Sequence, residues 1–452
     1  MFYAHIRLLS DFSDKSLYLF VLVVLRNGGI LMSTKNNNYD HDFSLTTVPE
    51  EEKKGFLSML VVMLGFTFFS ASMLTGGQLG TGLDLKTFLL AVFGGNIILG
   101  IYTGALAYIS CETGLSTHLL SRYSFGEKGS YLVSFLLGGT QIGWFGVGVV
   151  MFSLPVAKIT GINVYILIAI AGLLMTSSAY FGMKTLTIIS IISVPLIAIL
   201  GGFSSIQALN SIGGISELIS YKPKETLAFG TALTMCVGSF ISGGTLTPDF
   251  TRFSKTKKIG VSTTVLAFFI GNSLMFIFGA IGAMATGKSD ISEVMFLQGL
   301  IIPAIIILGL NIWTTNDNAI YSSGLGFSNI TKIPKNKLVI VNGIIGTVLA
   351  MWLYNNFVGW LTFLSSAIPP IGGVILADYF IVNKNKYINF DKTTFKNVNS
   401  IAVVSWFIGS VAAKFIPGIT PVYGVLGAAI SHVVLSKLLN ATAIVSKEKA
   451  AA

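Results

Sequence analysis

The residues of this 452-residue chain best equipped to bind something are amides, hydroxyls and rings placed inside long apolar runs. Gln141 and Trp144 lie three apart and share a face on any helix that contains them. Ser239, Phe240 and Ser242 lead into Gly243-Gly244, where backbone groups can open. Asn311, Thr314 and Thr315 fall at i, i+3 and i+4, again on one face, and Asn316 and Asn318 follow. These groups suit two kinds of ligand. Adjacent hydroxyls with carbonyls freed by a broken helix, here at Gly65, Phe66 or Phe69, form an oxygen cage for a small hard cation. A neutral planar heterocycle suits the rest: Trp144 and Phe240 can stack on its faces while Gln141, Ser239 and Asn316 read its edges, amides offering both donors and acceptors. The competing account of Thr314 and Thr315 is hydrogen bonding between packed helices. For Trp144 it is interfacial anchoring, which its mid-run place argues against; Trp313, Trp352 and Trp360 suit packing or belt roles.

Ionisable groups add little. Asp317 and Asp378 are the acids nearest apolar surroundings, and an acid inside a membrane is a functional candidate by default. Asp378 reads as a helix-end or gating residue and Asp317 as a packing or supporting group, since no basic partner is visible for it. His5 and His41 lie in a polar N-terminal stretch, His118 in a loop and His432 in the last apolar run. No nucleophile–histidine–acid set emerges, which argues against an enzyme. Cys111 and Cys236 have neither metal nor redox spacing and read as small buried apolar groups, so no cofactor is expected.

The elements that must hold these residues are set by composition. Hydrophobic residues make up 53% and charged residues 11% of the chain, with mean hydropathy +0.77. Soluble domains carry about 25% charged residues, so an all-α polytopic membrane protein is expected. About twelve apolar segments are long enough to span a bilayer: 55–79, 86–110, 130–156, 163–181, 185–205, 228–248, 259–287, 298–326, 337–354, 357–382, 399–415 and 420–440. The net charge of +10 does not point to nucleic acid, because the basic residues fall in short loops. Arg122, Lys128, Lys184, Arg252, Lys255, Lys257, Lys258, Lys332, Lys335, Lys337, Lys384, Lys386, Lys392 and Lys396 all occupy alternate connections. The opposite loops carry only Lys86, Lys158, Lys222, Lys224, Lys288 and Lys414. That bias places both termini in the cytoplasm.

Residues 1–54 form a cytoplasmic N-terminal segment in this reading, with 441–452 a cytoplasmic tail. The run Leu17–Leu25 is too short to span and lacks a convincing cleavage site, while Met32-Ser33-Thr34-Lys35 resembles a true start. Residues 1–31 are therefore expected to be an upstream extension from a misplaced start codon.

One internal echo organises the spans. Thr67-Phe68-Phe69-Ser70-Ala71-Ser72-Met73-Leu74-Thr75 matches Ser239-Phe240-Ile241-Ser242-Gly243-Gly244-Thr245-Leu246-Thr247 at a constant spacing of 172. A weaker echo pairs Gly139-Thr140-Gln141-Ile142 with Gly309-Leu310-Asn311-Ile312 at a spacing of 170. Each pair is separated by an odd number of crossings, so the copies run in opposite directions through the membrane. This predicts an inverted repeat of five plus five spans, 55–205 and 228–382, with two trailing spans over 399–440. Matched small and polar interruptions in two such halves mark a transport site.

Several stretches resemble the nucleobase–cation symporter family 1. They are Gly138 through Gly146, Ser242-Gly243-Gly244-Thr245-Leu246-Thr247-Pro248-Asp249-Phe250, and Gly309 through Asn318. Arg122-Tyr123-Ser124-Phe125-Gly126 and the run from Pro369-Pro370-Ile371-Gly372-Gly373 to Ala377-Asp378-Tyr379 also fit, so the resemblance covers about residues 45–440. It implies a leucine-transporter-like fold and alternating access in a bacterial inner membrane. It implies a base held between Trp144 and Phe240, with Gln141, Ser239, Ser242 and Asn316 around it, and a sodium site on backbone at Gly65, Phe69 and Asn311 and the hydroxyls of Thr314 and Thr315. Among family substrates the resemblance points to cytosine, and Phe240, where other members have Trp, favours a smaller, single-ring substrate. Uracil, a purine, hydantoin or allantoin, and proton coupling through Asp317, stay open at this stage. Lipid, base and sodium are the expected partners, and a monomer is expected.

Overall fold

The computed structural model describes residues 42–356 and 364–439 and the backbone of 444–446. The expected extension over 1–31, Trp360 and most of the expected tail lie outside the described residues. Helices dominate. In chain order they are α1 (Phe56–Thr67), α2 (Ser70–Gly82), α3 (Leu85–Thr113), α4 (Thr117–Phe125), α5 (Gly129–Thr160), α6 (Val164–Tyr180) and α7 (Met183–Ser211). A short helix, Ile215–Ser220, follows α7; the second half contains α8 (Phe229–Gly238), α9 (Ile241–Gly244), α10 (Thr247–Thr251), α11 (Lys257–Leu266), α12 (Ser273–Thr286), α13 (Ile291–Leu297) and α14 (Ile301–Thr331). It continues with α15 (Lys335–Val348), α16 (Ala350–Asn355), α17 (Pro369–Ala377), α18 (Ser400–Phe415) and α19 (Thr420–Leu439). Extended pairing among the described residues amounts to one antiparallel pair, Thr393–Phe395 with Ile444–Ser446, and an isolated parallel bridge between Lys54 and Ser254.

Six described helices are long and apolar enough to cross a membrane, or seven if α1 and α2 count as one bent span. The sequence expectation of about twelve is larger because several spans are broken or polar. α14 is 31 residues long, yet Asn311 and the run Thr314–Asn318 interrupt its apolar character. α6, α8 and α18 are shorter apolar helices. The exposed large side chains include Ile101, Leu173, Ile302 and Val348, an outer surface suited to lipid rather than water.

The two echoed segments are where the helices break. α1 and α2 meet at 58° around Phe68 and Phe69, and Phe69 is fully extended at φ −127°, ψ 126°. In the second copy α8 ends at Gly238 and Phe240 leaves the helical region at φ −132°, ψ −12°. Small residues, hydroxyls and aromatics supply little reason to continue a helix there, and the freed backbone groups need partners inside the protein. α2 is locked against α12 by backbone contact. A Cβ on Gly76 would meet the Phe276 backbone, and one on Gly279 would meet the Met73 backbone, so close packing here requires glycine on both helices. Between α11 and α12 the turn over Ala267–Asn272 widens to a π-helix, and its Ala267 carbonyl accepts the Thr67 hydroxyl at 3.1 Å. The polar chain Ser72–Asn272–Asn96–Ser273 then ties α2, the π-turn and α3 together through bonds of 2.6, 2.7 and 2.9 Å.

Candidate transport site

The broken segments face a cavity of about 510 Å³, a volume typical of a small-molecule site. Its wall is formed by α5 (Gln141, Trp144), the first break (Phe66, Phe69), the second break (Ser239, Phe240, Ser242) and α14 (Thr315, Asn316). The cavity therefore gathers Gln141, Trp144, Ser239, Phe240, Ser242 and Asn316, residues spread over 176 positions of sequence. It continues past Thr75 and Gln78 on α2 and Thr234 on α8.

The rings are set edge to face. Phe69 meets Trp144 at 5.2 Å between centroids and Phe240 at 5.9 Å, with interplanar angles of 76° and 89°. Phe240 is further fixed by Phe66 and Phe268, both at 5.0 Å. In such pairs a positive edge meets a negative face, which fixes the rings relative to one another. The polar groups are oriented too. Asn316 Nδ2 donates to the Phe145 carbonyl at 3.1 Å and contacts Met175 Sδ at 3.2 Å. That leaves its Oδ1, an acceptor, without a partner among the described residues. The Gln141 carboxamide, on the cavity wall, also has no partner among them, whereas Ser239 donates to the Cys236 carbonyl at 2.8 Å.

Behind Phe69 lie the oxygen atoms expected to hold a cation. Thr314 Oγ1 donates to the Asn311 carbonyl at 2.9 Å and Thr315 Oγ1 does so at 3.1 Å, so both hydroxyl protons point into their own helix and lone pairs stay available. At the break, the Phe69 carbonyl accepts the Ser72 N–H at 3.0 Å as α2 begins. The carbonyl that meets α14 is that of Phe68, one residue earlier, which accepts Asn311 Nδ2 at 3.1 Å. Phe69 enters the cavity with its ring instead. Sequence spacing identifies the break but not which of two adjacent carbonyls turns toward α14.

Asp317 does not line the cavity. It accepts Ser178 Oγ at 2.6 Å, Ser178 accepts Trp313 Nε1 at 2.8 Å, and the cluster joins α6 to α14. Asp378 does have a buried partner that the sequence reading missed: His432 Nε2 lies 3.0 Å from Asp378 Oδ1, and Tyr387 Oη donates to Asp378 Oδ2 at 2.7 Å. His118 is buried on α4 rather than in a loop, with Nε2 3.6 Å from Asp249 Oδ2.

The opposite end of the cavity is sealed. Phe66, Phe250 and Tyr321 follow one another at 4.9 and 6.0 Å. Below them Arg252, fully buried, donates to the carbonyls of Asp42 (2.7 Å), Phe43 (2.8 Å) and Asp249 (3.1 Å) and to Tyr321 Oη (3.0 Å). Buried Lys335 pairs with Asp42 at 2.6 Å, and Asp42 also accepts the Met183 N–H at 3.0 Å. Arg252 and Lys335 read from sequence as solvated loop charges; the chain segment at Asp42–Ser44 folds over them and removes them from water.

Residues 47–439 match the family described as permease for cytosine/purines, uracil, thiamine, allantoin. The chain belongs to this family. It is 57% identical over 401 residues to the cytosine permease of Escherichia coli K12, covering 89% of this chain and 96% of that protein. It is 20% identical over 424 residues to the hydantoin permease of Microbacterium maritypicum, covering 85% and 86% of the two chains. Among solved structures it resembles Mhp1, a nucleobase-cation-symport-1 family transporter, in a closed conformation with bromovinylhydantoin bound (TM-score 0.78, 18% identity, 88% of this chain and 95% of the other). It also resembles a substrate-bound, outward-open Na+-coupled sialic acid symporter (TM-score 0.65, 15% identity, 94% and 98%). These neighbours establish the leucine-transporter-like fold that the family resemblance implies. The family match makes the chain a multi-pass membrane permease and not an enzyme.

Proposed function

We propose that this permease imports cytosine across the bacterial inner membrane by sodium-coupled symport and alternating access, with both termini cytoplasmic and the monomer as the working unit. The observation that carries the reading is the convergence of two aromatic platforms and several amide and hydroxyl groups on one cavity, next to the oxygen-rich face of α14. The cytosine permease relative supports the choice of base. The base lies between Trp144 and Phe240, with Gln141, Ser239, Ser242 and Asn316 on its edges. Because Asn316 Nδ2 is committed to Phe145, the atom left for a ligand is an acceptor. An acceptor there pairs with the amine of cytosine and opposes the carbonyl that uracil carries at the same position.

Sodium takes backbone oxygens at Gly65 and Asn311 and the hydroxyls of Thr314 and Thr315. The Phe68 carbonyl replaces that of Phe69 in the set, since it is the one turned to α14. A neutral base gains nothing from membrane potential, whereas one co-transported sodium contributes about 2.3 kcal/mol per 100 mV. Proton coupling through Asp317 is disfavoured by its position off the cavity, against Ser178. Uptake of labelled cytosine into proteoliposomes containing only this protein tests the proposal. Accumulation driven by an inward sodium gradient is expected; uptake that is indifferent to sodium at constant pH would contradict it.

A further inference from the structure

Asn311 joins the cation face to the aromatic cavity through its side chain as well as its backbone. The side chain is buried at 2% exposure and grips both sides of the first helix break. Nδ2 donates to the Phe68 carbonyl at 3.1 Å, and Oδ1 accepts the Ser70 hydroxyl at 2.6 Å. The residue between these two anchors is Phe69, whose ring packs on Trp144 and Phe240. The backbone of Asn311 meanwhile accepts the hydroxyls of Thr314 and Thr315. A carbonyl has two lone pairs, so the Phe68 oxygen can accept Nδ2 and still face a cation. One carboxamide thus reads the position of a break that would carry a cation ligand on one side and a cavity ring on the other.

We propose that the carboxamide of Asn311 is the positioning group that transmits cation binding to the base site. It rests on the sodium–cytosine reading above. When sodium draws the Phe68 carbonyl toward Thr314 and Thr315, the two hydrogen bonds of Asn311 make Phe68, Phe69 and Ser70 move as one unit. The Phe69 ring then seats against Trp144 and Phe240 in the geometry that accepts a base. Without the carboxamide, a cation can still bind its oxygens, but Phe69 is no longer bound to follow. A shared element whose arrangement both ligands bias is what reciprocal coupling requires.

The test is the coupling ratio: the cytosine Kd of the purified full-length protein without sodium divided by that at saturating sodium, with choline as the replacement ion. The wild type gives a ratio well above one. Asn311→Ala is expected to lower that ratio at least fivefold. Ser70→Ala, which removes one of the two anchors, should lower it about two- to threefold. Asn311→Asp keeps the acceptor for Ser70 but loses the donor to Phe68; it should fall between the two, and it decides the matter alone if Asn311→Ala does not fold. An unchanged ratio in a folded Asn311 variant overturns the proposal. So does a Kd that weakens equally with and without sodium, which marks general loosening. A wild-type ratio of one overturns the sodium reading itself and this inference with it.

Discussion

Trp144→Ala isolates the stacking contribution better than the matching change at Phe240. Phe240 is 5% exposed and packs on Phe66, Phe268 and Phe69 at 5.0, 5.0 and 5.9 Å. Truncating such a core ring costs about 3–5 kcal/mol of stability and would confuse binding with folding. Trp144 is half-buried on the cavity wall, with the Phe69 ring centroid at 5.2 Å. Losing that pair removes about 0.5–1.5 kcal/mol, in addition to the partial packing of Trp144 on the core around Phe145 and Val149. A base stacked on an aromatic side chain is worth about 1–3 kcal/mol by alanine substitution. At about 1.4 kcal/mol per factor of ten, the cytosine Kd should rise roughly 5- to 140-fold. Equilibrium binding of radiolabelled cytosine at saturating sodium measures this, with Tm recorded on the same preparation. A Kd within twofold of wild type at unchanged Tm would refute stacking on Trp144.

Further perturbations probe the other parts of the account. Thr315→Ala and Thr314→Ala each remove an oxygen beside the Asn311 carbonyl and should raise the sodium concentration for half-maximal uptake about tenfold or more; no change in either would remove α14 from the ion site. Lys335→Ala leaves the buried Asp42 carboxylate without its cation, a change that costs about 3–5 kcal/mol; Ser328 on α14 is buried and donates to the Ser44 hydroxyl at 3.1 Å, so thiol labelling of a cysteine placed there should accelerate, and neutralising both partners with Asp42→Asn and Lys335→Gln should restore slow labelling. Asp317→Asn should leave the sodium dependence of uptake intact, because that carboxyl is tied to Ser178 away from the cavity; loss of ion dependence would revive proton coupling.

Much of this site was legible in the sequence because its signals are local. The echo between 67–75 and 239–247 located both helix breaks to within a residue or two, since glycine, hydroxyls and aromatics in an apolar run are costly unless they serve a purpose. Helical spacing put Gln141 with Trp144, and both face the cavity. Contacts set by tertiary folding were not legible. The 54-residue separation of Asp378 and His432 has no periodic signature. Arg252 and Lys335 obey the loop-charge bias and are still buried, because Asp42 comes from outside the repeats to meet them. Spacing placed Asn311 on one face with Thr314 and Thr315, but the reach of its carboxamide to Phe68 and Ser70 depends on how α14 lies against the break.

The central claim is that one cavity binds cytosine in a manner controlled by sodium. Its most direct measurement is cytosine binding to the purified protein with and without sodium, with uracil and adenine as competitors. The account predicts tight binding in sodium, marked weakening in choline, and little displacement by uracil, whose carbonyl would face Asn316 Oδ1. Equal affinity in both salts, or displacement by uracil as effective as by cytosine itself, would contradict it.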